Sequence, residues 1–199
     1  CRDGLDGSIE GRLQIAKQWL DVYQEHRPLS ASLDVRERGH GDALPLLAAE
    51  AVAATSPADW VYCTDGLRLV ATKPMVEAVI SLEVGRSNSP HNSQLVLALM
   101  QGYLSLGATT PALQLYEGLD VKHVQCESLS HTLLPALLLL GATAQAEAAL
   151  RPVQRFVKHG MNDVAESALL AFQHDNCVQA LEFLSFDRTV RSSWWRAMS

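Results

Sequence analysis

Apolar residues recur along this chain at helical spacing. Ser8 to Arg27 places Leu13, Ala16, Leu20 and Tyr23 on one stripe with Trp19 beside it, and the run closes at Pro28, the pattern of an amphipathic helix ended by a residue that cannot continue it. Residues 28–41 read as a loop. Asp42 stands where it caps a helix running to about Thr55, and Ser56-Pro57 restarts the chain with proline at the first helical position. Residues 58–73 support two readings. Trp60, Val61, Tyr62, Leu67, Leu69 and Val70 fit short strands, whereas their place before a series of helices favours one more helix with Gly66 as its weak point. From Pro74 the pattern predicts helices over about 74–86, 91–106, 110–119, 127–140, 144–159, 162–173 and 175–186, most of them separated by short turns containing Gly, Pro, Asn or Asp.

These helices repeat. Ala78, Ala112, Ala146 and Ala180 stand 34 residues apart, the period of the helix-turn-helix tetratricopeptide unit. Four residues after each alanine comes a bulky side chain, in turn Leu82, Tyr116, Leu150 and Leu184, so each small residue lies one helical turn from a large one. Leu99, Tyr103, Gly107, Ala108 and Thr109 return 34 residues later as Leu133, Leu137, Gly141, Ala142 and Thr143. The expected fold is all-α, a right-handed superhelical solenoid of irregular tetratricopeptide-like helix pairs. Residues 1–73 form a less regular helical segment and 74–199 the repeats. Pro135 and Pro152 each remove an amide from a helix interior, so the array should kink or restart there. Thr110-Pro111 instead suits a cap followed by a first helical residue.

Hydrophobic residues at 48% supply a continuous core. A net charge of -6 with scattered Lys and Arg gives no basic field, which argues against direct nucleic-acid binding by this segment. Cys1, Cys63, Cys126 and Cys177 form no close pair, the usage of free thiols in a reducing compartment rather than of a disulfide framework or a zinc knuckle. No apolar run reaches the length of a membrane span. The chain starts without Met and stops soon after Trp194-Trp195 without an evident polar capping helix, and so reads as a piece of a longer polypeptide.

The stretch from Ser89 to His131 contains three ordered blocks: Ser-Pro-His-Asn at Ser89 to Asn92, Tyr-x-x-Leu-Gly-Ala at Tyr103 to Ala108, and Leu-Asp-x-Lys-His-x-Gln at Leu119 to Gln125. In this order they resemble the auxiliary, non-catalytic subunit of the N-terminal acetyltransferase B complex. Weaker similarity runs upstream through Gly41 to Val52 and downstream through Ala165 to Phe186. The resemblance implies a scaffold that wraps a catalytic acetyltransferase subunit and helps place it at the ribosome. There the complex acetylates new chains starting Met-Asp, Met-Glu, Met-Asn or Met-Gln. It also implies a cytoplasmic location and acetyl-CoA held on the catalytic partner rather than on this chain.

The residues themselves offer little chemistry. No Gly-rich loop opens a helix to hold a pyrophosphate: Gly39 and Gly41 flank a lone His40, and the two Gly-Ala-Thr runs are repeat turns. His123, Cys126 and His131 are spaced poorly for a metal and read as surface or loop residues. His91, just inside a helix start, reads as a partner for a free backbone group, and no Ser, His and Asp set has the spacing of a hydrolase. Trp194-Trp195 fits a partner anchor and an uncovered core equally well.

A binding surface is easier to argue. The segment 94–106 is almost wholly apolar except for Gln94, Gln101 and Ser105, which fall on one stripe. Counting back from the turn glycines puts this stripe, with Leu97, and Ser128 and His131 of the next unit, on the concave side of a helix-pair superhelix. These residues are the candidate partner contacts. The stripe lacks the Lys and Arg that would grip a peptide carboxylate, which favours protein wrapping over the alternative of a generic repeat adaptor for peptides or chaperones. An enzyme with an unfamiliar active site is the third reading.

Overall fold

The computed structural model describes residues 8–34, 36–55, 72–122, 124–156, 158 and 161–192. Among the described residues the chain forms nine α-helices and no strand: α1 Ile9–His26, α2 Ala43–Ala53, α3 Lys73–Asn88, α4 Ser93–Ser105, α5 Thr109–Gly118, α6 Val124–Leu139, α7 Thr143–Arg155, α8 Met161–Gln173 and α9 Cys177–Arg191. A short 3-10 turn, Arg27–Ser30, follows α1. Ser8 caps α1 by accepting a hydrogen bond from the Gly11 amide at 3.1 Å.

Two compact units divide between Asp120 and Val121. In the first, consecutive helices from α1 to α5 each pack on the next, and most of the chain joining α2 to α3 falls outside the described residues. Met75, Ala78, Leu82, Leu95 and Leu99 are fully buried at its centre. Gly85 of α3 allows the closest approach: a Cβ there would lie 2.9 Å from Cβ of Pro45 and 3.0 Å from Cδ2 of Leu95, so any side chain would wedge α2 and α4 off α3. In the second unit α6 pairs with α7 and α8 with α9, and the Phe156 and Phe186 rings meet edge to face at 6.5 Å. The alanine column is buried throughout: Ala78 and Ala112 fully, Ala146 and Ala180 almost so.

The 34-residue period is sharpest at the turns, since α5, α7 and α9 begin at Thr109, Thr143 and Cys177. Each preceding turn holds one residue in the left-handed conformation: Gly107 at φ 78°, Gly141 at φ 70° and Asp175 at φ 56°. The amide after it bonds back to a carbonyl of the last helical turn, Ala108 to Tyr103, Ala142 to Leu137 and Asn176 to Ala171, at 2.8 to 2.9 Å. This is the Schellman closure, which glycine adopts without steric cost. A Cβ on Gly141 would meet no atom within 4 Å, so Gly141→Ala should lose about 1 kcal/mol for purely conformational reasons. Asp175→Gly should gain about 0.5 kcal/mol by the same argument in reverse. Chemical denaturation measures both. Shifts of the same sign would show that backbone conformation does not set the stability of the third turn.

Several local expectations need correction. Asp42 stands at the start of α2 without capping it, because its carboxylate is turned to the α3–α4 turn instead. Thr110 is not the cap of α5: the helix begins one residue earlier at Thr109, and Pro111 still falls in the first turn where an amide has no helical partner. The cap of α4 is Asn92, whose Oδ1 accepts from the Gln94 amide at 3.1 Å, while His91 is exposed in the turn before it. Pro135 and Pro152 lie inside α6 and α7 rather than at helix starts. Past Pro152 the helix ends at Arg155 and the backbone widens to π-type bonding at Phe156 and Lys158. The strand-or-helix question over 58–73 falls almost entirely outside the described residues, as do Trp194 and Trp195.

Candidate partner-binding surface

The start of α4 is fixed by a buried polar cluster. Oδ1 of Asp42 accepts from the Ser89 hydroxyl at 2.8 Å, and Oδ2 accepts from the Asn92 side-chain amide at 2.8 Å and from the Gly39 backbone amide at 3.0 Å. Asp42, Ser89 and Asn92 are all buried. Two members of the Ser-Pro-His-Asn block therefore hold the beginning of α2 against the beginning of α4. Donors directed at a carboxylate are the strong kind, and here they set where the α4 face begins.

From that anchor the proposed stripe can be followed residue by residue. Gln94 is exposed, and its Oε1 lies 3.5 Å from an Arg38 guanidinium nitrogen that donates to it. Leu97 and Gln101 are half-buried, whereas Ser105 is buried at 6% exposure. The exposed part of the α4 stripe thus fades toward its C-terminal end. Ser128 and His131, three residues apart on α6, are both exposed and share one face of that helix. They lie in the second compact unit, and Gln94, Gln101 and Ser105 in the first.

Tyr103 ties α4 to α3. Its hydroxyl donates to Oε1 of Glu83 at 2.6 Å, and Arg86 sits 3.6 Å from the other carboxylate oxygen. Burial, then donation to Glu83 and the charge on that carboxylate, push the Tyr103 phenol up to about 12. Because the folded-state value is raised above the unfolded one near 10, the stability this group contributes is intact below pH 10 and disappears as pH rises toward 12. Ultraviolet absorbance of the phenolate in Tyr103→Phe against the parent isolates this group. A wild-type tyrosine set in which every member ionises near pH 10 would contradict the Tyr103–Glu83 bond.

The cleft beside this pair, about 210 Å³, is lined by Glu83, Arg86, Tyr103, Pro111, Gln114 and Leu115. An open depression of about 560 Å³ on α7 is lined by Arg151, Gln154, Arg155 and Lys158. Neither places a nucleophile beside a base. The Gly39 amide is directed at the Asp42 carboxylate of its own chain. Cys126 is buried, its thiol lies 3.5 Å from the Val121 carbonyl, and burial pushes its pKa up, away from the thiolate a nucleophile needs. His123 lies outside the described residues, and no three His, Cys, Asp or Glu side chains gather to hold a metal among the described residues. No helix among them is long and apolar enough to cross a membrane.

Comparison with known proteins places this geometry. A family described as the non-catalytic subunit of the N-acetyltransferase B complex (NatB) matches residues 4–199. The "N-alpha-acetyltransferase 25, NatB auxiliary subunit" of Homo sapiens is 31% identical over 117 residues, 59% of this chain and 12% of that relative. The "N-terminal acetyltransferase B complex auxiliary subunit NAA25" of Arabidopsis thaliana is 28% identical over 119 residues, 60% of this chain and 11% of the relative. "Phagocyte signaling-impaired protein" of Aedes aegypti is 31% identical over 126 residues, 63% and 13% respectively. The matched stretch is therefore about an eighth of the length of these relatives.

Proposed function

The chain belongs to the family of the non-catalytic subunit of the N-acetyltransferase B complex, and from that premise we propose that it is a scaffold segment binding the catalytic acetyltransferase subunit. The observation that carries the reading is the family match over residues 4–199 falling on stacked helix pairs, with the Ser-Pro-His-Asn block used to fix one helix start against another. The work of that block is architectural, the need of a scaffold rather than of an active site. Acetyl-CoA is then held by the catalytic partner, and the assembled complex acts in the cytoplasm on ribosome-borne chains starting Met-Asp, Met-Glu, Met-Asn or Met-Gln. The polar residues Gln94 and Gln101 on α4 suit contact with a folded protein, as on the other unit do Ser128 and His131 on α6, while Ser105 is buried.

Co-expression with the catalytic subunit, followed by purification on a tag carried by this polypeptide, tests the proposal. A stoichiometric complex that acetylates a Met-Asp peptide is expected, with no turnover from the auxiliary polypeptide alone. Turnover by the isolated polypeptide after removal of every companion would refute the non-catalytic role. Failure to retain the catalytic subunit would refute the scaffold role.

A further inference from the structure

The open depression of about 560 Å³ on α7 has the volume of a small-ligand site, and three of its four lining side chains are cations. Arg151, Arg155 and Lys158 stand four and then three residues apart, so one helical face carries all three, with half-buried Gln154 beside them. Between Glu147 and Asp163 the sequence has no carboxylate. The net charge of -6 over the whole chain hides this local excess of positive charge.

Ordinary helix electrostatics explain only part of the cluster. A cation in the last turn offsets the helix dipole, which accounts for Arg155 and not for Arg151. Arg151 lies 3.4 Å from Glu147, but both partners are exposed, where such a pair is weak and is exchanged for another anion at little cost. Neither Arg155 nor Lys158 meets a carboxylate among the described residues. Repeat packing does not require the charges either. In the columns of Arg151, Arg155 and Lys158 the α3 unit has Glu83, Ser87 and Pro90, the α5 unit Glu117, Val121 and Val124, and the α9 unit Ser185, Thr189 and Ser192. Like charges three and four residues apart repel on a helix, so the arrangement costs stability unless an anion lies over it. The backbone is also irregular at this place: past Pro152 it widens to π-type bonding at Phe156 and Lys158, a departure that concentrates at functional sites.

We infer that this depression binds a compact anion bearing several phosphate groups. Arg151 and Arg155 offer planar forks that each take two phosphate oxygens, Lys158 a point charge, and Gln154 a neutral amide donor. From Arg151 to Lys158 the cations span about 10 Å of helix at roughly 1.5 Å per residue, a length that a few linked phosphates cover. Among the described residues no apolar or aromatic side chain lines the depression. That disfavours an acidic peptide, whose binding needs an anchoring side chain in a pocket, and a nucleic-acid strand, which is held along a basic groove with aromatic platforms. A bound polyphosphate cancels the repulsion among the three cations and thereby stabilises the second compact unit by mass action.

Tripolyphosphate is the probe, added to the auxiliary subunit at its native length and followed by calorimetry and thermal unfolding at physiological salt. Binding that raises the thermal midpoint is expected. Arg155→Gln with Lys158→Gln should weaken it by about tenfold or more and abolish the rise, with the midpoint in the absence of the probe unchanged because both side chains are exposed. Lys73→Gln, an exposed lysine of α3, should change nothing. Lys158→Gln alone, beyond the end of α7, should show a smaller loss and reads the site if the double variant does not fold. Phosphatidylcholine vesicles with and without phosphatidylinositol bisphosphate distinguish the sources. Retention on the bisphosphate vesicles that tripolyphosphate reverses assigns the phosphates to a lipid headgroup, and no retention assigns them to a free anion. Equal affinity of the parent and both variants overturns the inference. No binding of the probe by the parent also overturns it, in favour of nucleic acid if a single-stranded RNA binds the parent and not the double variant. The scaffold reading is decided separately, by retention of the catalytic subunit.

Discussion

Asp42→Ala should destabilise the first compact unit by about 4 kcal/mol, because it strands the Ser89 hydroxyl, the Asn92 side-chain amide and the Gly39 backbone amide in a site closed to water. Each orphaned donor costs about 1–3 kcal/mol, and some relief comes from rotation of the hydroxyl and from partly exposed Gly39. Asp42→Asn keeps the shape but aims an amide donor at another donor, and about 2 kcal/mol should be lost. Ser89→Ala should cost less than either, since it removes one donor and leaves the carboxylate with two. Urea denaturation of the three variants gives the order. A loss under about 1 kcal/mol for Asp42→Ala would mean that water replaces the carboxylate and that the cluster does not hold α2 to α4.

That cluster also marks where reading the sequence stops. Helix existence and period were legible because they depend on local spacing: the alanine column is buried, and the turn glycines take the positive φ their residue type permits. Asp42 was legible as a helix-start residue but not as the acceptor for Ser89 and Asn92, 47 and 50 positions away, because no local pattern encodes such a pairing. The third turn was hidden for a related reason. Asp175 occupies the column of Gly107 and Gly141, and an aspartate in a turn can also be explained by side-chain hydrogen bonding. At the candidate surface, periodicity named the stripe of α4 but could not decide depth. Gln94 and Ser105 are both polar on one helix, and only packing separates the exposed one from the buried one.

The stripe of α4 yields the second large effect. Ser105→Glu should cost about 4 kcal/mol, while Gln94→Glu should stay within about 0.5 kcal/mol, although both add one negative charge to the same helix. Ser105 is 6% exposed, so a carboxylate there is desolvated without a partner positioned to receive it. It is also the last residue of α4, where free carbonyls make the local field negative and oppose a second negative charge. Gln94 sits in the first turn, where the helix field favours a carboxylate, and it is exposed beside Arg38. Thermal unfolding of the two variants under identical salt separates burial from charge. If Ser105→Glu folds as stably as Gln94→Glu, Ser105 belongs to the open surface and the contact face extends along the whole of α4. If it unfolds as expected, partner contacts on this helix end before Ser105, and charge substitutions meant to probe binding belong at Gln94 rather than at Ser105.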